Sequence, residues 1–149
     1  TRKTAPGLRY LDKAAVVSGG GVNHRYGLHD AFLIKENHIT AIGGIKEAIE
    51  ACQAFAEKHG RFRVMVEAEN FDQYQLALEA KPDRILLDNM SPELIRKCVE
   101  ARTGDTELEA TGGITLSNVR EYGTAGVDFI SIGALTHSVE VLDLSLLVD

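Results

Sequence analysis

The chain has 149 residues, a net charge of −6, and 44% hydrophobic against 26% charged residues. That length supports one domain with a core of its own and excludes two ordinary ones. The composition excludes a disordered chain, no apolar run approaches the ~20 residues that span a bilayer, and a net negative balance excludes the broad basic face that nucleic acid requires.

The first segment, Pro6 to Ser18, reads as a helix with Leu8, Leu11, Ala15 and Val16 on one side. From Ala31 onward two textures alternate. Short apolar runs predict buried strands at AFLIK (31–35), FRVMVEA (62–68), RILLD (84–88), ELEAT (107–111) and VDFISI (127–132). Helical patterns lie between them. Over 45–56, Ile45, Ala48, Ile49, Cys52, Phe55 and Ala56 recur at helical spacing. Asn70 with Gln73 predicts a capping box for a helix running to about Ala80. Ser91-Pro92 supplies an N-cap and a proline in the first turn, with Leu94, Ile95, Cys98 and Val99 facing inward. Thr115 or Ser117 starts a further helix that Gly123 ends, and the tail VLDLSLLVD (141–149) reads as a further strand. After the first unit the strands recur about every 22 residues, the period of parallel strands with right-handed crossovers. Such units form either an α/β barrel or a doubly wound sheet. Cys52 and Cys98 both fall on apolar stripes, which predicts reduced buried thiols and a cytoplasmic setting.

Charge is distributed unevenly. Residues 1–38 hold six Lys or Arg against three acids, together with three of the five histidines, while the other 111 residues hold 10 cations and 19 acids. A concentrated basic patch on an acidic body suits a small, highly anionic ligand. The polar residues also share a position: Lys35, Glu67 with Glu69, Asp88, Thr111-Gly112-Gly113 and Gly133 each stand at the carboxyl end of an expected strand. In barrel folds that end carries the site. TGGI (111–114) and IGALTHS (132–138) read either as phosphate loops or as plain turns. Glu67 and Asp88 read either as a carboxylate pair sharing Mg²⁺ with substrate oxygens or as two boundary acids. Arg2, Lys3, Arg25 and Lys35 form a clamp for carboxylates and phosphates, or else a solvated basic face. His24, His29 and His38 lack metal-ligand spacing and have cationic neighbours, so a transition-metal site is rejected.

Six motifs in order, TRKTAPGLR (1–9), GGGVNHRYGLHD (19–30), LIKENH (33–38), LLDNM (86–90), EATGGI (109–114) and IGALTHS (132–138), closely resemble the quinolinate phosphoribosyltransferase family along essentially the whole chain. The resemblance implies an α/β fold of parallel strands and alternating helices, an open, incomplete TIM-like barrel. It implies a type II phosphoribosyltransferase of NAD biosynthesis that converts quinolinate and phosphoribosyl pyrophosphate, with Mg²⁺, into nicotinate mononucleotide, pyrophosphate and CO2. Residues 1–149 then correspond to the C-terminal barrel domain, without the family's N-terminal domain. In the family the site lies at a homodimer interface and takes an arginine from the partner's N-terminal domain, so the isolated chain is expected to turn over poorly.

By motif position the resemblance assigns Thr1, Arg2, Lys3, His24, Arg25 and Lys35 to quinolinate and pyrophosphate, and Glu67 and Asp88 to the ribose hydroxyls and the metal. Lys3, Lys35, Glu67 and Asp88 are the expected catalytic set. Thr111, Gly112, Gly113, Gly133 and His137 are assigned to the 5′-phosphate. Glu67 is preferred to Glu69 because its spacing to Asp88 fits the family better. A paralogous pyrophosphorylase-like protein associated with molybdate transport is the rival within enzymes, and the intact NHR and LIKENH segments argue against it. A non-catalytic phosphate- or nucleotide-binding domain is the rival from another class.

Overall fold

The alternating apolar runs assemble into a five-stranded, all-parallel sheet in the order β1-β2-β3-β4-β5, so each strand lies beside its neighbour in sequence. The computed structural model describes residues 3–60 and 62–148. The strands are β1 (Ala31–Ile34), β2 (Arg63–Ala68), β3 (Arg84–Asp88), β4 (Glu107–Thr111) and β5 (Phe129–Ile130). The helices are α1 (Arg9–Ser18), α2 (Glu36–Ile42), α3 (Ile45–His59), α4 (Phe71–Glu79), α5 (Pro92–Ala101), α6 (Val119–Gly123) and α7 (Ala134–His137). Among the described residues no helix is long and apolar enough to cross a membrane.

Period-two alternation divides the sheet into two unlike faces. Val64, Val66, Ala68, Ile85, Leu87, Leu108 and Ala110 point one way and pack with Ile49, Tyr74, Ala77, Ile95 and Cys98 of α3, α4 and α5 into the main core. The opposite face holds only a small apolar group, Ala31, Leu33, Met65 and Leu86. The parallel register puts Met65 beside Arg84, Arg84 beside Glu107, Leu86 beside Glu109 and Asp88 beside Thr111. This concave face is therefore apolar toward β1 and charged toward β4.

Several expected boundaries move. Residues 36–42 form a helix that the sequence did not announce, because α2 is short and buries none of its residues. Gly43 ends it in the left-handed region, at φ 99°. Asn70 caps α4 by accepting from the Gln73 N–H, but Gln73 Oε1 accepts from Glu69 N–H rather than from Asn70, so only half of the expected box forms. α6 begins at Val119, not at Thr115 or Ser117, because the Asn118 side chain accepts from the Thr115 N–H and holds residues 115–118 as a turn. β5 keeps two of the six residues expected over 127–132; the Asp128 carboxylate takes the Leu108 N–H at 2.8 Å, in place of a backbone carbonyl. Of the tail at 141–149, the described residues to Val148 form no strand and Leu146 is 92% exposed. A two-residue edge strand offers too short a row of backbone groups to template another. The thiols are free, with Cys98 buried but Cys52 only half-buried, against the expectation for both.

Candidate active site

A cavity of about 360 Å³ opens at the carboxyl ends of the strands, and its lining includes Lys3, His24, Arg25, Lys35, Glu67, Thr111 and Gly133. Seven of the residues assigned from the sequence, from Lys3 to Gly133, thus converge on one space. Lys35 follows β1 and donates from Nζ to Glu67 Oε1 of β2 at 2.5 Å. Glu67 is 14% exposed and Lys35 44%, so the carboxylate lies at the wall and the ammonium at the opening. Asp88 shares the face of Glu67, since Glu67 registers with Leu86 and Asp88 lies two residues on. Asp88 is not among the residues that line the cavity, and Asn89 Nδ2 donates to it at 3.0 Å.

The segment between α1 and β1 closes one side of the cavity. Lys13 of α1 is 7% exposed and donates to the carbonyls of His24 at 2.9 Å and Arg25 at 3.0 Å. Burial pushes its ammonium below the ordinary value, against the upward pull of Asp30. Asn23 returns a hydrogen bond to the Lys13 carbonyl, and Asp30 receives the N–H groups of Tyr26 and Gly27, so the segment is tied at both ends. Arg25 Nη1 donates to the Ala31 carbonyl at 3.0 Å. Burial lowers the His24 imidazole to about 4, with Arg25 and Arg84 acting in the same direction and Glu109 opposing. The ring is neutral at pH 7. The other two histidines of the first 38 residues serve elsewhere: His38 Nδ1 accepts the Lys35 N–H at the start of α2, and His29 lies edge-on to Tyr26.

The two glycine loops reach the same cavity through Thr111 and Gly133. Gly112 and Gly113 have φ of +90° and +61°, a left-handed pair that glycine adopts without strain. The N–H groups of Gly112, Gly113 and Gly133 have no intramolecular partner among the described residues. After β4 the loop is backbone alone, since α6 starts too late for its N-terminus to contribute, whereas Gly133 is the N-cap of the single-turn α7. His137 leans on Gly133 and joins Ser138 Oγ at 2.7 Å. Gly112 and Gly113 flank the cavity through Thr111, and Asp88 pairs with Thr111 in register. Thr1 and Arg2 lie outside the described residues.

A model of the C-terminal domain of quinolinate phosphoribosyl transferase matches residues 1–147. The chain belongs to that family. It is 44% identical over 147 residues to the probable nicotinate-nucleotide pyrophosphorylase [carboxylating] of Bacillus subtilis, covering 98% of this chain and 50% of the relative. It is 43% identical over 165 aligned positions to the chloroplastic nicotinate-nucleotide pyrophosphorylase [carboxylating] of Arabidopsis thaliana, covering 100% and 47%. The solved nicotinate-nucleotide pyrophosphorylase from Francisella tularensis superposes with a TM-score of 0.90 at 44% identity, covering 97% and 51%. The chain thus spans about half the length of the relatives it matches. In this quinolinate phosphoribosyl transferase domain, Lys3, Arg25, Lys35 and Glu67 line one cavity.

Sequence reasoning missed the residues beneath the site. Arg84 reaches across the concave face, from Nε to Glu107 at 2.9 Å and from Nη1 to Glu109 at 2.6 Å, with its guanidinium 3.7 Å over the Phe129 ring. Arg63 pairs with Glu107 as well. Burial acts upward on the Glu107 carboxyl, and the two guanidiniums outweigh it to hold the group below the ordinary range. Glu109, 1% exposed, also receives Ser131 Oγ. The available signal was the spacing of Glu107, Glu109 and Thr111 on one face of a buried strand.

Proposed function

We propose that this domain carries the phosphoribosyl transfer site that joins quinolinate to phosphoribosyl pyrophosphate, with decarboxylation, to give nicotinate mononucleotide, pyrophosphate and CO2. One observation carries the reading: a single cavity brings the Lys35–Glu67 pair together with the cations Lys3 and Arg25, the neutral donor His24, and Thr111 and Gly133 of the two glycine loops. Two polyanions repel each other, and cations together with backbone N–H groups allow both to enter.

Arg25 offers a planar fork to a carboxylate of quinolinate, and the neutral His24 ring adds an N–H donor. Thr111, Gly112, Gly113 and Gly133 take the 5′-phosphate through hydroxyl and backbone donors, with His137 behind Gly133. Lys3 and Lys35 neutralise the departing pyrophosphate. As the C1–oxygen bond of the ribose breaks, positive charge develops on the ring, and the carboxylates of Glu67 and Asp88 stabilise it in place. The quinolinate nitrogen supplies the electron pair for the new C–N bond and becomes a pyridinium. Loss of the adjacent carboxylate as CO2 leaves an electron pair on carbon, which takes a proton. No side chain acts as a nucleophile; position and field do the work.

Two carboxylates on one face of the sheet, Glu67 at the cavity wall and Asp88 on the neighbouring strand, fit the habit of Mg²⁺, which binds through one or two carboxylates plus substrate oxygens and water. Glu67 and Asp88 would hold it. When bound, it would add positive charge at the pyrophosphate oxygens. We further infer a homodimer or higher homo-oligomer in which the family's N-terminal domain completes the site, and a reducing, cytoplasmic setting in keeping with the free thiols. The test is calorimetry of quinolinate and nicotinate mononucleotide against the chain, with nicotinate as control. Binding of both but not nicotinate supports the reading, and equal binding of nicotinate overturns it.

A further inference from the structure

Glu109 occupies the centre of a buried chain of charges for which the transfer reaction has no direct use. Its carboxylate accepts from Arg84 Nη1 at 2.6 Å and from Ser131 Oγ, and lies 3.9 Å from His24 Nε2. Removing a carboxylate from water costs several kcal/mol, and packing alone does not repay it, because apolar replacements of buried ion pairs are often neutral or stabilising. The charge therefore has a task that an apolar residue of the same volume would not perform.

That task is visible at His24. Its Nδ1 accepts the Arg25 N–H at 2.8 Å, so the neutral ring carries its proton on Nε2, the nitrogen that faces Glu109. Among the described residues, the charged groups acting on the ring are Glu109 from β4, Arg25 from its own segment and Arg84 from β3, while Lys13 of α1 holds its carbonyl. Glu109 is the anion in this set. Ser131, its other partner, lines the same cavity.

We propose that Glu109 is a positioning residue: held by Arg84, it fixes the tautomer and orientation of the His24 imidazole and the Ser131 hydroxyl at the wall where a dicarboxylate binds. The identity of that ligand rests on the function proposed above. The arrangement lets a buried negative charge assist anion binding, since it acts through the groups it orients and its own charge is neutralised by Arg84.

The experiment has one arm without ligand and one with quinolinate. In the first, NMR follows the His24 ring through its titration in the full chain and in Glu109→Gln. Because the carboxylate acts upward on His24, its removal lowers the titration midpoint; an unmoved midpoint overturns the proposal. In the second, calorimetry measures quinolinate binding to the wild type, Glu109→Gln, His24→Asn and the double variant. Glu109→Gln weakens binding roughly tenfold, within the range for side chains in direct contact, and the double variant is no weaker than His24→Asn alone. Additive losses would show that Glu109 only supports the fold, and would overturn the proposal. Should Glu109→Gln fail to fold, Glu109→Asp draws the carboxylate back from His24 while keeping a partner for Arg84. It is read by the same two outcomes, with a smaller shift and a smaller loss. If the wild type does not bind quinolinate, the functional reading fails, and the midpoint alone decides for or against Glu109.

Discussion

Asn89 and Gly112 approach so closely across the ends of β3 and β4 that a Cβ on Gly112 would overlap the Asn89 side chain and lie 2.8 Å from its backbone nitrogen. Asn89 is itself left-handed, at φ 54°, and its N–H donates to the Thr111 carbonyl at 2.9 Å. Gly112→Ala therefore adds a clash to backbone strain and should cost roughly 2–3 kcal/mol. Gly113 has φ +61° but nothing within 4 Å of an added Cβ, so Gly113→Ala should cost ~1 kcal/mol. Thermal unfolding checks the order, with Gly112→Ala lower in Tm by several degrees. Equal midpoints would mean that the Asn89 contact does not restrain the loop.

Arg25→Lys should separate the two substrates. Lysine has one nitrogen where arginine has a fork, and that fork already serves the Ala31 carbonyl. Losing a charged partner typically costs ~2–5 kcal/mol in binding. Quinolinate affinity should fall by roughly 30-fold or more, with phosphoribosyl pyrophosphate little changed. Titration of each ligand separately provides the check, and equal losses would reassign Arg25.

Glu67→Gln should spare the fold and slow the chemistry. Its partner Lys35 is 44% exposed, and ion pairs with one solvated member contribute under about 1 kcal/mol. Removing a preorganised charge from the transition state costs roughly 10²–10³ in kcat. Steady-state kinetics alongside a melting curve distinguish the two effects.

Stability should fall in acid through His24. Its folded value, about 4, lies below the ordinary 6.5, so the folded state takes up the proton less readily than the unfolded one. The contribution is complete above pH 6.5 and is lost as pH falls through about 4, on the order of 2–3 kcal/mol in all. Denaturant titrations of the wild type and His24→Asn between pH 7 and 4 should converge toward the acid end. Parallel curves would contradict this.

Tyr74→Phe should cost about 1–2 kcal/mol, because it strands a buried acceptor. Tyr74 is fully buried and its hydroxyl donates to the Cys98 carbonyl at 2.6 Å, tying α4 to α5. Equilibrium unfolding measures the loss, and the cavity should be unaffected.

Much of this architecture was legible from spacing. Apolar runs such as RILLD mark strands because both faces of a parallel sheet are covered, and Ser91-Pro92 marks a helix start through local chemistry. Short elements were not legible. α2 has too few turns for a buried face to repeat, and β5 owes its brevity to an Asp128 side chain bonding to another strand. The site followed the same division. Lys35, Glu67, Thr111 and Gly133 announced themselves at strand ends. Lys13, Arg84 and Glu109 did not, because a buried charge is tolerated only through its partner, and each partner here lies at least 11 residues away along the chain.

A sheet whose spatial order repeats its sequence order can be laid down in the direction of synthesis. Each strand, on leaving the ribosome, finds its parallel neighbour already in place and needs to close only one crossover loop, the shortest search such a topology permits. The mouth is then completed in stages. A nascent chain that has paired β1, β2 and β3 already holds Lys35, Glu67 and Asp88 at their stations, while the glycine loops after β4 and β5 are still unmade. On that order of synthesis the charged strand ends precede the glycine loops, and the proposed phosphate cradle is the last part of the mouth to emerge.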